Sequence, residues 1–217
     1  MMGSEQSHIP RVSVITPTWQ RHDLLLSRTV PSVQAQRYPS VEHIIVSDGP
    51  DPELKDKLAQ PWTDGWRNLW YHELSVHDEA EHFGAPARNA GLELASGTYV
   101  TYCDDDDSLR PCHCYLLAEA LTQHPEADFA VSRMMSHGPY GDIVIGTGPL
   151  AAGNLGTPMV MHRRNVPGKY GTWGEDGSWG PGDRFEDWHL IWAWIQAGVE
   201  YVRVQAETSD VWPSIFR

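Results

Sequence analysis

Apolar residues along this chain fall into short β-branched runs separated by stretches of helical spacing. Residues 12–15 (VSVI) and 41–46 (VEHIIV) read as buried strands, each stopped by turn residues, Thr16-Pro17-Thr18 after the first and Ser47 to Asp51 after the second. Between them Leu26, Val30 and Val33 recur at helical spacing behind an Asp23 cap, and Pro31 is expected to kink that helix or end it early. Strand, helix, strand with short links predicts a right-handed parallel unit. The alternation continues. Helices are expected at 53–59, at 86–95 with a first-turn proline and a Ser96-Gly97 stop, from Pro111 to about His124, and at 186–197. Strands are expected at 69–72, 98–103, 129–132, 143–145, 158–162 and 201–204, with glycine-rich loops at 146–156 and 165–183, the second long enough to act as a mobile lid. This order predicts one three-layer α/β domain over 10–217 with a mostly parallel central sheet, behind a disordered stretch at 1–9.

Composition narrows the partners. With 217 residues, 41% of them hydrophobic, the chain can bury one sizeable core. A formal net charge of −13 argues against nucleic acid and anionic membrane as partners, since those surfaces select clustered Lys and Arg. No apolar stretch is long enough to span a bilayer, MMGSEQSHIP lacks the features of a signal peptide, and Cys103, Cys112 and Cys114 show no zinc-type spacing. The expectation is a cytoplasmic protein with reduced thiols, free to form a homodimer.

The densest chemistry is Asp104 to Asp107, four carboxylates that follow the apolar run TYVTYC directly. Carboxylates crowded at a strand end are relieved most easily by a hard divalent cation, and Mg²⁺ or Mn²⁺ takes one or two protein carboxylates while water and substrate phosphate fill the other positions. A solvated acidic turn is the alternative. His72, His77 and His82 recur at intervals of five, which matches neither helix nor strand, so no metal site is read there.

Three segments in order, VSVITPTWQR, VEHIIVSDGPD and ARNAGLELASGTYVTYCDDDDSLRP, resemble the family-two glycosyltransferases over residues 11–111, and RFEDWHLIWAWIQAG adds the Glu-Asp-Trp that such enzymes carry at the start of a late helix. The resemblance implies the GT-A fold, a Rossmann-like three-layer sandwich, with a nucleotide-binding half at 10–111 and an acceptor-binding half at 112–217. It also implies a nucleoside diphosphate sugar donor, an acceptor hydroxyl, and Mn²⁺ or Mg²⁺. By motif position Thr16, Pro17 and Thr18 line the nucleobase and ribose, Arg21 joins the donor site, Asp48 accepts a hydrogen bond from the base, and Arg88 faces ribose or diphosphate. Asp106 is assigned to the metal and Asp104 to the ribose or the metal, with Asp105 as the alternate register. Asp187, beside Glu186, matches the general base of inverting members. Trp173 and Trp179 in the glycine-rich loop are acceptor-site candidates, with Trp188 a third that the helix also assigns to packing. The second-strand loop carries one acid where the family usually has two. Inversion against retention stays open, as do two rivals: a nucleotidyltransferase of related fold and a non-catalytic sugar-nucleotide or carbohydrate-binding module.

Overall fold

The computed structural model of the protein describes residues 9–60, 65–78, 84–174 and 186–212. Within them nine strands form one sheet: β1 (Val12–Thr18), β2 (Val41–Ser47), β3 (Leu69–Glu73), β4 (Tyr99–Tyr102), β5 (Ser108–Leu109), β6 (Phe129–Gly138), β7 (Gly141–Ile145), β8 (Val160–Arg163) and β9 (Tyr201–Val211). Their spatial order is β3-β2-β1-β4-β8-β6-β9-β5, with β7 hairpinned onto β6. The β3-β2-β1-β4 half is parallel, as the alternating sequence predicts. Beyond β4 the sheet is mixed, which corrects the expectation of a mostly parallel sheet: β8 runs antiparallel to both β4 and β6, and β6 then pairs parallel with β9. The reason is the connection. Parallel neighbours need a long crossover, commonly a helix, and between β6 and β8 the chain forms only the β7 hairpin, a loop and the short 3₁₀ turn Thr157–Met159.

Seven α-helical segments cover the sheet: α1 (His22–Leu24), α2 (Val30–Gln34), α3 (Pro52–Leu58), α4 (Ala85–Leu94), α5 (His113–Gln123), α6 (Val166–Tyr170) and α7 (Glu186–Gln196). Strand alternation sorts the core onto two faces. Ile15, Ile44, Val100 and Tyr102 pack with Ala85 and Ala87 of α4 and with Leu190, Ile191 and Trp194 of α7. On the other face Val12 and Val14 pack with Val33, Leu117 and Leu121. Gly91 is what lets α4 sit so close, because a Cβ there would stand 2.5 Å from Ile15 Cγ2. No helix among the described residues is long and apolar enough to cross a membrane.

Three local outcomes differ from the sequence reading. Pro31 does not stop its helix at once: the five-residue π turn Leu25–Thr29 links α1 to α2, the proline takes the second position of α2, and the helix runs on to Gln34. The expected loop at 165–183 begins with α6, and Trp173 behind it is buried; residues 175–185, including Trp179, lie outside the described residues. The last strand runs on from 204 to Val211.

One buried carboxylate fastens the parallel half together. Glu42 of β2 accepts hydrogen bonds from Ser13 Oγ of β1 (2.6 Å), from Ser96 N and Oγ (2.7 and 2.9 Å), and from Gly97 N (3.1 Å) in the turn that leads from α4 into β4. Burial opposes its charge, but these donors and Arg11 prevail and hold its pKa below the ordinary glutamate range. Replacing Glu42 with Ala leaves those donors unpaired and is expected to cost about 1–3 kcal/mol of unfolding free energy at pH 7, read by urea titration. A depressed pKa stabilises fully above the unfolded value of 4.5 and is lost as pH falls through the folded one. The gap between native and variant protein should therefore narrow as pH falls below 4.5.

Candidate active site

The four aspartates follow β4 at the C-terminal edge of the parallel half, where open α/β sheets place their ligands. A turn holds them: Asp107 N donates to Asp104 O at 3.1 Å, and Thr29 Oγ1 donates to Asp104 O (3.1 Å) and Asp107 O (2.8 Å). Arg28 Nη1 adds a bond to Asp106 O at 2.5 Å. The backbone of the run is thus fastened from the π turn, and the carboxyls are left to project in different directions.

Each carboxyl has a partner, and two of them share one. Asp105 accepts from Thr18 Oγ1 at 2.8 Å and from Arg21 Nη1 at 3.2 Å, and the same Arg21 nitrogen reaches Asp106 Oδ2 at 2.8 Å. Asp104, the most open of the four with its side chain 31% exposed, accepts from Arg88 Nη2 at 2.7 Å. Asp107 accepts from Trp212 N at 3.1 Å. Burial pushes Asp105 up to about 6 and Asp107 well above the usual carboxylate range, and the neighbouring aspartates add to both shifts.

Arg88 joins this run to the start of α7. Its residue is 2% exposed, and beside the Asp104 bond its Nη1 lies 3.8 Å from Glu186 Oε1, with the Trp173 ring 4.7 Å from its Cζ. Burial works against the guanidinium charge, but Asp104 and Glu186 outweigh it and raise its pKa. Asp187, next on α7, is half-buried against a pocket walled by Tyr102, Trp173, Leu190, Ile191 and Trp194. Its Oδ1 accepts from Trp188 N at 2.7 Å. Desolvation first, and then Glu186, push its carboxyl up to about 7.

Asp48 forms a second locus at the end of β2. Its N–H donates to Thr18 O at 2.9 Å, and its Oδ2 lies 3.1 Å from His77 Nδ1. The His77 ring stacks on Trp19 at 4.2 Å and 8°. Asp48 Oδ1 is buried with no hydrogen-bond partner among the described residues, an acceptor unfilled within the described fold. Thr16 turns its side chain into the sheet, 2.8 Å from His43 Nε2, so what it can offer a ligand is main chain.

Thr18, Arg21, Arg88, Asp104, Asp105, Asp106 and Glu186 therefore meet in one contact network, with Asp187 beside it and Asp48 one backbone bond away. Trp173 stands within that network as a buried wall, edge-on to Tyr102 at 5.1 Å, and Trp188 stacks on Trp192 at 5.3 Å. His162 is buried against Tyr102, with its Nε2 2.9 Å from the phenol oxygen, and its pKa is lowered to about 4 by burial. Arg28, Thr29 and Trp212 were not singled out from sequence, and His77 was weighed there only as a metal ligand and set aside. The signal it carries is its place after the strand that pairs with β2 at the same sheet edge.

The family model described as glycosyl transferase family 2 matches residues 13–172. The putative teichuronic acid biosynthesis glycosyltransferase TuaG of Bacillus subtilis is 38% identical over 98 residues, 45% of this chain and 36% of that protein. The GalNAc(5)-diNAcBac-PP-undecaprenol beta-1,3-glucosyltransferase of Campylobacter jejuni is 31% identical over 101 residues, 46% of this chain and 31% of that protein. This chain thus spans about a third of the length of either relative. Among solved structures, S. aureus TarS 1-349 in complex with UDP-GlcNAc superposes with a TM-score of 0.66 at 16% identity, over 94% of this chain and 58% of that one. The mannosyltransferase PcManGT from Pyrobaculum calidifontis, in complex with GDP-Man and Mn²⁺, gives 0.67 at 15%, over 94% and 57%. These structures establish the GT-A fold.

Arg88→Met removes the charge that Asp104 and Glu186 share while keeping most of the side-chain volume. It is expected to destabilise the fold by on the order of 3 kcal/mol in a denaturant titration, because an uncompensated buried charge costs more than a lost contact.

Proposed function

The chain belongs to glycosyl transferase family 2, and from that premise we propose that it moves a sugar from a nucleoside diphosphate donor to an acceptor hydroxyl, with inversion and with Asp187 as general base. The observation that carries the reading is the place of Arg88: one buried guanidinium contacts Asp104 of the acidic run and approaches Glu186 beside Asp187. Donor and base machinery are thereby brought within one side chain of each other.

Asp187 is suited to its part. A general base works best with a pKa near the working pH, and burial with Glu186 alongside holds this one at about 7. It would accept the proton of the acceptor hydroxyl as that oxygen attacks the anomeric carbon, while Arg88 keeps Glu186 and Asp104 in place. Asp48 supports a base that carries a ring N–H between or beside carbonyls, which uracil, thymine and guanine have and cytosine lacks, because its Oδ1 has no partner among the described residues.

A divalent cation fits the donor set. The run offers hard oxygens only, and its carboxylates crowd with Glu186 and Asp187 around Arg21 and Arg88. No cluster of three or more His, Cys, Asp or Glu groups among the described residues makes a ready cage, which suits Mn²⁺ or Mg²⁺ held by one or two carboxylates and substrate phosphate. Asp106 with Asp104 would hold the ion, which supplies positive charge for the departing nucleoside diphosphate. A cytoplasmic setting, in keeping with three free cysteines, belongs to the same proposal.

A thermal-shift series of UDP, GDP, TDP and CDP with and without Mn²⁺ tests the donor side. The expected outcome is a metal-dependent rise in Tm with at least one of the first three and the smallest rise with CDP; no rise with any of them overturns the reading. On the catalytic side, Asp187→Asn should lower kcat by about 100-fold or more while nucleotide binding persists. In the native protein kcat/KM should rise with pH and level off above about 7, as Asp187 loses its proton. A flat profile assigns the base elsewhere.

A further inference from the structure

The last described residue, Trp212, lies outside the stretch that matches the family and makes three contacts that converge on the acidic run. Its N–H donates to Asp107 Oδ1 at 3.1 Å. One face of its ring carries Arg28, with Cζ 3.9 Å from the ring centroid, and Arg28 in turn donates to Asp106 O. The ring also stacks on His137 of β6 at 4.8 Å and 25°. His137 is itself gripped from both sides, its Nδ1 2.9 Å from Asp142 of β7 and its Nε2 3.0 Å from Asp210 of β9. Arg110, just past β5, locks Asp210 with a two-point bond of 2.9 and 2.8 Å.

We propose that Trp212 is a positioning residue for the acidic run, and that His137 on the β6–β7 hairpin holds it there. The indole is held by both a guanidinium and an imidazole, so its orientation is over-determined. Through Arg28 it fixes the Asp106 carbonyl, while the main-chain N–H of Trp212 fixes the Asp107 carboxyl. The turn is therefore held from both ends, with Thr29 on the helix side and Trp212 on the strand side, and the Asp104 and Asp106 carboxyls keep their spacing. Loss of the indole would free Arg28 and let the turn relax, and a cation needs that spacing. Any effect on donor binding rests on the transferase reading above; the effect on the turn itself does not.

The test uses the full chain with Trp212→Ala, Trp212→Phe, His137→Ala and, as a control, Tyr140→Ala, a residue 98% exposed at the tip of the same hairpin. Amide hydrogen exchange over 104–108 reads the turn directly. It should quicken in Trp212→Ala and His137→Ala, recover in Trp212→Phe, and stay native in Tyr140→Ala. Mn²⁺ affinity, measured from free Mn²⁺ in solution with UDP or GDP present, should fall about tenfold in Trp212→Ala and less in His137→Ala, as expected for losing a partly desolvated cation–π contact. Native exchange over 104–108 in a folded Trp212→Ala protein overturns the inference, as does native Mn²⁺ affinity. If the native chain itself binds no nucleotide with Mn²⁺, the transferase reading fails, and the exchange data still decide the role of Trp212.

Discussion

The site depends on one buried positive charge. Arg88 sits where α4 meets the ends of β1 and β4, and it contacts the acidic run on one side and the head of α7 on the other. A charge taken out of water must be matched closely or the fold pays for it, and here the match is to two carboxylates that belong to different halves of the sequence. The contact therefore works as a joint. It couples the parallel half, which carries Asp104, to the mixed half, from which α7 returns with Glu186 and Asp187. Trp173 closes over the guanidinium and also walls the pocket beside Asp187, so the electrostatics of the joint and the raised pKa of the proposed base share one apolar cover.

Four adjacent aspartates are tolerated because their backbone and side chains are held by different elements. Main-chain oxygens of the run go to Thr29 and Arg28, and its carboxyls go to Thr18, Arg21, Arg88 and the Trp212 amide. Each carboxyl thus meets a donor, with Asp105 and Asp106 sharing the Arg21 nitrogen between them. The cost shows in the titration: Asp105 and Asp107 are both shifted upward, the direction expected where burial and like charge are not fully offset.

Much of this was legible in the sequence, for identifiable reasons. β1, β2 and β4 are β-branched runs with turn residues behind them, and their C-terminal ends are where the motif residues fall. Pro86 and the Ser96-Gly97 stop announced α4, while its close approach to the sheet at Gly91 is visible only in the structure. The change to a mixed sheet was not legible, because strand direction depends on the connection and not on the strand's own residues. Arg28 and Thr29 looked like an ordinary helix face, since nothing in their spacing marks a widened turn. Trp212 was hidden for a different reason: β9 has a weak apolar alternation beyond Val204, so the strand seemed to end before it reached the site. Trp173 looked like an acceptor platform from its glycine-rich surroundings, yet the guanidinium it covers lies 85 residues earlier in the chain, beyond the reach of local reading.

The widened turn at Leu25–Thr29 has a consequence for how one helix can serve two neighbours. A regular helix presents consecutive residues about 100° apart, so two adjacent buried positions face different parts of their surroundings. A π turn carries an extra residue in its circuit, and here two consecutive residues are both buried: Thr29 reaches the aspartate turn, while Val30 packs with Leu25, Ile45 and Leu54 in the core. Deleting one residue from this turn would restore ordinary helical phase and force a choice between the two neighbours. The irregularity thus acts as a gear offset: it lets the part of the chain that anchors the sheet also hold the acidic run in register.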